Sequence, residues 1–412
     1  MMRWIIFITV VVLLDVYAFQ AVRTLFRGYL PVFIYFTLSS LALAGILYEF
    51  SWAGSPKMMQ PPRMYLFGLF LVVFGPKLIL VAFLLLEDII RLMAGLFSTS
   101  SFSDGGGAFM PSRRKFISTL ALGLAAIPFS SLIYGMIKGK YDYRVLKYVL
   151  EFDNLPDAFD GYTISQISDI HSGSFDNYNK VNYGIDLINA QQSDMIVFTG
   201  DLVNNVSEEM EAWQSSFSRL KARDGVISVL GNHDYGDYVH WKSIADKKAN
   251  LNKLKEIQRE MGWNLLLNEH RWIKREGGRM AVVGVENWGV GFRKDGNLNQ
   301  ASEGLTSEDF KIVLTHDPTH WQEEIKDDMR NFDLTLSGHT HGMQFGIEIP
   351  GIVKWSPAEW RYKYWAGIYK DENHNRYLNV NRGFGYLAYP GRVGIWPEIT
   401  VIELRKKRNS AV

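Results

Sequence analysis

Five short clusters of aspartate, histidine and asparagine are the parts of this sequence best suited to chemistry. Neutral imidazoles combined with carboxylate or amide oxygens are typical ligands of divalent first-row metals such as Mn, Fe, Co and Zn. The chain has no cysteine, so thiolate nucleophiles, disulfides and zinc-thiolate sites are excluded. The clusters are Asp169-Ile170-His171, Gly200-Asp201, Gly231-Asn232-His233-Asp234, Thr315-His316-Asp317 and Gly338-His339-Thr340-His341-Gly342.

The last cluster places two histidines at positions i and i+2 between glycines that let the backbone approach closely. This arrangement suits metal ligation better than packing, and its weight comes from the four earlier clusters of the same kind. One carboxylate can bridge two ions. Two neighbouring ions lower the pKa of a shared water and neutralise the oxygens of a phosphoryl group under attack. The clusters therefore predict metal-assisted hydrolysis.

Short apolar runs precede these clusters, and amphipathic segments lie between several of them. Because parallel strands end at one edge of an open α/β sheet, the clusters are expected to meet there. The predicted strands are Tyr162 to Ile167, Met195 to Thr199, Val226 to Leu230, Met280 to Val285, Lys311 to Thr315 and Leu334 to Ser337. The predicted helices are Tyr178 to Ala190, Glu208 to Leu220 and Ser243 to Met261.

The order Asp-x-His, Gly-Asp, Gly-Asn-His-Asp, His and Gly-His-x-His resembles the calcineurin-like metallophosphoesterase family over Gly161 to Leu404. The resemblance implies an α/β fold, a four-layer α-β-β-α sandwich, for a catalytic domain at residues 145–405. It also implies two divalent metal ions, each Mn, Fe, Zn or Co, and hydrolysis of a phosphoester or pyrophosphate bond. A catalytically silent metal-binding or interaction domain is the alternative.

Carried over by motif, the resemblance implies a ligand set for each ion and a residue shared by both. The first ion is expected on Asp169, His171 and His341, the second on Asn232, His316 and His339, with Asp201 bridging.

The resemblance also implies that His233 contacts the scissile phosphate and protonates the leaving oxygen. In the protein-phosphatase branch an aspartate orients this histidine, whereas the corresponding position here is Asn204. An amide does not stabilise imidazolium as a carboxylate does, so His233 is expected either to rely on Asp234 or to act mainly as a hydrogen-bond donor.

Two features of the C-terminal part have open interpretations. Arg382 and Arg392 lie in glycine-rich, turn-prone sequence and either bind a substrate phosphate or are surface arginines. Aromatic residues between Trp355 and Trp365 are interleaved with the basic residues Lys354, Arg361 and Lys363. This pattern fits both a membrane interface and an edge strand with cross-strand aromatic pairs.

The first third of the chain is predicted to cross the membrane four times, because each apolar run has about the 20 residues that a bilayer-spanning helix needs. Residues 1–97 hold three spans, residues 98–115 form a flexible and basic linker, and residues 116–137 form the fourth span. The predicted spans are Trp4 to Val22, Leu30 to Tyr48, Met64 to Leu86 and Phe116 to Ile137.

The segment from Ser112 to Ile117 resembles a twin-arginine export signal, and it equally fits a basic cytoplasmic flank of a membrane span. Both interpretations put Arg113 to Lys115 in the cytoplasm. The loops on the two sides of the predicted spans hold equal numbers of basic residues, so this compact cluster is what favours a catalytic domain outside the cytoplasm. The chain most resembles the membrane-anchored branch of the family, which includes proteins similar to a hydrolase of UDP-2,3-diacylglucosamine. A lipid-linked phosphoester and membrane lipids are therefore the expected partners.

Asp15 and Lys77 are ionisable residues inside otherwise apolar spans. The first and third spans run parallel in an alternating topology, so the two side chains are expected at one depth, where they either pair or leave Lys77 snorkelling beside Gly75-Pro76. A transporter or channel is a third possible function, and Asp15 and Lys77 are the sequence features that favour it. Nucleic-acid binding is not expected, because 44 basic and 43 acidic residues leave no basic footprint.

Overall fold

The computed structural model describes residues 2–57, 59–97, 111–371 and 374–408. The chain forms two compact units. One contains residues 1–53 and 65–136, and the other contains residues 54–64 and 137–412. The second unit therefore includes a short segment that lies between two of the predicted spans in the sequence.

Four long helices form the first unit, and each is long and apolar enough to cross a membrane. All four predicted spans are confirmed as helices, with longer boundaries. Helix α4 begins inside the segment predicted to be a linker, and residues 98–110 of that linker lie outside the described residues. The helices are α1 (Met2–Leu25), α2 (Tyr29–Phe50), α3 (Pro61–Phe97) and α4 (Pro111–Ile137).

Of the two alternatives for Asp15 and Lys77, the ion pair between the first and third spans is confirmed. Nζ of Lys77 lies 2.5 Å from Oδ1 of Asp15, and both residues are buried. Lys77 Nζ also donates to Oγ of Ser39, which itself donates to Asp15. Helix α3 continues through Pro76, so Lys77 is held within the helical unit rather than at a break.

The second unit is built from fourteen strands and four helices in the described part of the chain. The strands are β1 (Arg144–Phe152), β2 (Thr163–Ile167), β3 (Met195–Phe198), β4 (Val226–Ser228), β5 (Trp263–Leu265), β6 (Glu269–Arg275), β7 (Gly278–Gly284), β8 (Lys311–Leu314), β9 (Leu334–Ser337), β10 (Ile347–Ile349), β11 (Val353–Trp355), β12 (Gly367–Lys370), β13 (Tyr377–Val380) and β14 (Glu398–Lys406). The helices are α5 (Tyr178–Asn189), α6 (Gln214–Phe217), α7 (Ile244–Glu260) and α8 (Leu298–Ala301).

Two six-stranded sheets form the centre of this unit. The first has the order β1-β14-β2-β3-β4-β5 and the second the order β12-β13-β9-β8-β7-β6, while β10 and β11 form a separate hairpin. Strands β2 to β5 are parallel to one another, as are β7, β8, β9 and β13. In each sheet, therefore, the carboxyl ends of several parallel strands lie at the same edge.

Apolar side chains of the two sheets pack against each other, and helices cover their outer faces. Ile164 and Val197 of the first sheet share a buried cluster with Ile312 and Leu336 of the second. Separate clusters join the first sheet to α5 and α7, and the second sheet to α8. The predicted four-layer α-β-β-α sandwich is confirmed.

The predicted helix from Glu208 to Leu220 is wrong over most of its length. The structure has a short 3₁₀ turn at Ser207–Met210 and the single-turn helix α6 instead. The carboxylate of Glu209 accepts hydrogen bonds from the backbone N–H groups of Asn204, Asn205 and Val206. Because the Glu209 side chain bonds to the backbone of the preceding loop, the segment is held against that loop and does not form a regular helix.

Candidate metal centre

The predicted ligands follow the carboxyl ends of strands that belong to both central sheets. Asp169 and His171 come after β2, Asp201 after β3 and Asn232 after β4 in the first sheet. The second sheet supplies His316 after β8, and His339 and His341 after β9. Since these strands are buried and bonded to their neighbours, the loops that follow them start from fixed positions.

The first group of ligand atoms belongs to Asp169, His171 and His341, which offer donor atoms within 4.8 Å of one another. Nε2 of His341 lies 3.1 Å from Oδ1 of Asp169 and 3.0 Å from Nε2 of His171. All three residues are buried. Two imidazole nitrogens facing each other beside a carboxylate are the arrangement expected of ligands around a cation.

The second group consists of Asp201, His316 and His339, again within 4.8 Å. Nε2 of His316 lies 3.1 Å from Oδ2 of Asp201 and 3.2 Å from Nδ1 of His339. Asn232 lines the same cavity, and its buried Oδ1 has no hydrogen-bond partner among the described residues. A buried acceptor without a donor is costly, and a cation would satisfy it.

Asp201 lies between the two groups. Its Oδ2 atom is 3.6 Å from Nε2 of His171 and 3.1 Å from Nε2 of His316. Its Oδ1 atom accepts a hydrogen bond of 2.8 Å from the backbone N–H of His233. One oxygen is thus directed to ligands of both groups while the other fixes the carboxylate plane.

The backbone at the centre is held in an uncommon conformation. Five of the seven predicted ligands, all of them among the described residues, have φ between 48° and 72°: Asp169, His171, Asp201, His339 and His341. Such values are uncommon for residues with a side chain and are found where function requires them. A Cβ at Gly338 would lie 2.4 Å from Oδ2 of Asp169, so only glycine fits between these ligands.

Buried charge at the centre favours a cation. Burial raises the pKa of both Asp169 and Asp201, but the facing imidazoles outweigh it and hold both values below the usual range. Burial lowers the pKa of His171, which keeps this imidazole in its neutral, metal-binding form. Burial also opposes the charge on His316, yet mainly Asp201 raises its pKa to about 10. Two buried, ionised carboxylates require compensating positive charge, which the facing imidazoles supply in this structure and which a bound divalent cation would supply in their place.

His233 is oriented by a backbone carbonyl. Its Nδ1 atom lies 2.7 Å from the carbonyl oxygen of Asn204, so Nδ1–H donates there and leaves Nε2 for a ligand. The Asn204 side chain instead donates to the Met59 carbonyl oxygen at 2.7 Å and accepts from Ser174. Asp234 accepts from four backbone N–H groups, including those of Gly231 and Asp201. The structure thus gives Asn204 an orienting role through its backbone and gives Asp234 a loop-holding one.

Comparison with protein families agrees with this geometry. Residues 162–343 match the family described as calcineurin-like phosphoesterase. Residues 2–140 match a second family, described as the transmembrane domain of a probable calcineurin-like phosphoesterase. The chain is a calcineurin-like metallophosphoesterase. It is a metal-dependent phosphoester hydrolase with an N-terminal domain of four transmembrane helices.

Relatives of this metallophosphoesterase occur in bacteria and animals. It is 28% identical over 307 residues to the uncharacterized metallophosphoesterase YkuE of Bacillus subtilis, covering 71% of this chain and 98% of the relative. It is 24% identical over 340 residues to a transmembrane protein with metallophosphoesterase domain of Danio rerio, covering 81% and 72%. A 5'-nucleotidase precursor structure from Thermus thermophilus aligns with a TM-score of 0.36 at 12% identity, covering 59% and 54%.

The metal centre of the metallophosphoesterase opens into a cavity of about 290 Å³. Beyond the ligands, its walls include Tyr238, Phe292, Arg361 and Tyr362. The Tyr238 ring lies 4.5 Å from the His233 ring, and the Arg361 guanidinium lies 5.1 Å from the Phe292 ring. Sequence reasoning did not assign these residues to the site; the alternation of aromatic and basic residues that includes Arg361 was the available signal.

Arg382 and Arg392 neither line the cavity nor lie on the surface, which contradicts both interpretations of their sequence. Arg382 is 4% exposed and pairs with Glu348 and Glu398. Arg392 is fully buried, and its guanidinium donates to the carbonyl oxygens of Arg382 and Gly385. Both guanidinium groups support the loops behind the centre, and neither is among the described residues that line the cavity.

The aromatic stretch from Trp355 to Trp365 is neither a uniform interface nor an edge strand. Trp355 ends β11, and a 3₁₀ turn at Pro357–Trp360 follows. Trp360 is 80% exposed, whereas Trp365 is 4% exposed and packs in an apolar cluster. Aromatic and basic residues alternate strictly only from Trp360 to Tyr364, and the 3₁₀ turn before them changes which side chains face outward.

Proposed function

We propose that the metallophosphoesterase binds two divalent ions, each Mn, Fe, Zn or Co, and uses water to hydrolyse a phosphoester or pyrophosphate bond. The observation that carries this proposal is the pair of ligand groups joined by Asp201. Asp169, His171 and His341 would hold one ion, and Asn232, His316 and His339 the other. When bound, such ions activate water and neutralise phosphoryl oxygens.

His233 is proposed to contact the scissile phosphate and protonate the leaving oxygen. Support comes from the Asn204 carbonyl group, which fixes the proton on Nδ1 and directs Nε2 away from that bond. His233 lines the cavity and belongs to neither group of ligand atoms. The donated proton would be the one on Nε2 of the imidazolium form, which carries a proton on each ring nitrogen. Nδ1–H would stay bonded to Asn204, and the ring would be left neutral after the transfer.

Arg361 is proposed to bind a substrate phosphate oxygen, in place of Arg382 and Arg392. Its exposed guanidinium borders the cavity, and a planar guanidinium pairs well with two phosphate oxygens. Tyr238 and Phe292 supply aromatic surface beside it for the group that leaves. The recognition side of the cavity is thus basic and aromatic, whereas the metal side is lined by imidazoles, Asn232 and the carboxylate of Asp201.

We further propose that the domain lies outside the cytoplasm and acts on a lipid-linked substrate, with UDP-2,3-diacylglucosamine as one example of the class. The basic cluster Arg113 to Lys115 at the start of α4 supports the orientation. Residues 138–143, between α4 and β1, reach about 20 Å at most. A domain tethered so closely meets lipid head groups at high effective concentration.

The test is an assay of the full-length protein in detergent, with Mn and other divalent ions added singly. The substrates are bis-p-nitrophenyl phosphate, p-nitrophenyl phosphate and a lipid pyrophosphate, and bound metal is measured by elemental analysis. We expect the wild type to bind about two ions per chain and to turn over substrate. The Asp169→Ala, His316→Ala double variant is expected to show no turnover. Bound metal without turnover of any substrate would support the silent alternative and refute the proposal.

A further inference from the structure

The β10–β11 hairpin carries its apolar side chains on the outside. Ile347, Ile349 and Val353 lie on one face, because Ile349 pairs with Val353 and side chains alternate along a strand. They are 52%, 47% and 37% exposed. In an ordinary soluble hairpin the face directed to solvent is polar, whereas here the solvent-exposed face is apolar.

The charged residues of the hairpin are on its other face and are bound by the domain. Glu348 pairs with Arg382, whose guanidinium is buried. Lys354, the strand partner of Glu348, donates to the carbonyl oxygen of Ala366. These bonds fix which face of the hairpin is directed outward, so the apolar exposure is built into the fold.

Two further apolar side chains extend this surface. Ile352, beside the turn of the hairpin, is 81% exposed, and Trp360 is 80% exposed. The Trp360 ring lies 6.2 Å from the ring of Trp355 in β11. We call the set Ile347, Ile349, Ile352, Val353 and Trp360 the hairpin patch.

The hairpin is attached near the point where the chain enters the catalytic unit. The backbone N–H of Gly346, just before β10, donates to the carbonyl oxygen of Val393. A Cβ at Gly139, two residues after α4, would lie 2.4 Å from the carbonyl oxygen of Arg392, the residue before Val393. The entry point and the base of the hairpin therefore contact adjacent residues of one segment.

Sheet topology places this entry at the edge that carries the metal centre. Strand β1 is parallel to β14 and starts opposite Glu398, while β14 is antiparallel to β2. The start of β1 therefore lies at the edge where β2 ends and Asp169 follows. Met343, which lines the cavity, precedes the hairpin by a few residues.

We propose that the hairpin patch docks on the lipid bilayer surface and that the substrate is a phosphoester carried by a lipid. The substrate class rests on the proposed function, whereas the docking does not. The bilayer is the occupant favoured by the short connection to α4, a helix of membrane-spanning length. Exposed Arg361 and Lys363 follow Trp360 in the sequence, and such bases attract anionic head groups while the apolar side chains enter the interface.

Docking is tested by single-cysteine labelling, which the cysteine-free chain makes selective. Full-length Ile352→Cys carries an environment-sensitive fluorophore in nanodiscs containing anionic lipid and doxyl-labelled lipid. The control is Met329→Cys, since Met329 is 92% exposed and precedes β9 at the amino end of that strand. We expect strong quenching at position 352 and little at 329. Equal quenching, or shielding of position 352 that grows with protein concentration, would overturn bilayer docking.

The substrate class is tested separately with Ile352→Ser and Trp360→Ser, neither of which is a proposed ligand or proton donor. We expect kcat/KM for diacylglycerol pyrophosphate in the nanodisc bilayer to fall at least about tenfold, as lost effective concentration requires. The value for soluble bis-p-nitrophenyl phosphate is expected to stay within about twofold. An equal effect on both substrates would refute the lipid route. Inactivity of the wild type on both would instead refute the proposed hydrolysis and leave the quenching result standing.

Discussion

Replacing His233 by alanine separates proton donation from metal binding. The ring is outside both groups of ligand atoms, so metal content is expected to remain at the wild-type value. Its Nδ1–H bond to the Asn204 carbonyl oxygen, 2.7 Å between heavy atoms, leaves Nε2 as the position that carries the transferable proton when the ring is protonated. A positioned general acid contributes about 10²- to 10⁴-fold, so we expect a loss in that range for an alkoxide leaving group. For p-nitrophenolate, which leaves with little protonation, the expected loss is within about tenfold.

The assay compares kcat for an alkyl and a p-nitrophenyl ester of the same phosphodiester, in the wild type and in His233→Ala, with elemental analysis of each preparation. His374→Ala is the matched control, because the His374 side chain is 52% exposed and bonds to Asp371 rather than to any predicted ligand. Equal losses for both leaving groups, at full metal content and with chemistry rate-limiting, would refute proton donation. A loss of metal in His233→Ala would refute the separation of roles.

Three further predictions concern other parts of the molecule. Asp201→Asn is expected to lower metal content and reduce turnover by at least about 10³-fold, because this carboxylate contacts both ligand groups; near-normal turnover with full metal would contradict the shared role. Lys77→Met is expected to destabilise the protein by about 3 to 5 kcal/mol through the unpaired Asp15 carboxylate, with recovery in the Asp15→Leu, Lys77→Met double variant; equal thermal unfolding of single and double variants in detergent would contradict this. Arg361→Ala is expected to raise KM at least about tenfold with little change in kcat, measured on bis-p-nitrophenyl phosphate; an unchanged KM would remove Arg361 from the site.

The part of the fold nearest the metal centre could be predicted from local sequence. Strands such as Leu334–Ser337 are short, buried apolar runs, and the polar clusters begin directly after them. Burial on both faces makes these runs distinct, and glycine marks the turns that follow. Residues from strands far apart in the sequence could then be placed together, because parallel strands share one edge.

The rest of the catalytic unit depends on contacts that sequence patterns do not encode. Strands β1 and β14 were not predicted, since they pair across more than two hundred residues and β1 is largely solvent-accessible along its length. Arg382 resembled a substrate ligand because its partners, Glu348 and Glu398, are distant in the sequence. The outward apolar face of the hairpin was likewise hidden, because its strands are only three residues long.

The position of β14 has a consequence for biogenesis. This strand lies between β1 and β2, yet it comes later in the chain than every other described strand. During synthesis β1 therefore has no neighbour to pair with until the whole intervening sequence has emerged. Such long-range pairing folds slowly and leaves strand edges exposed meanwhile. Chaperone capture, or delay of folding until the chain has reached its compartment, is thus most needed for β1, immediately after the membrane helices are made.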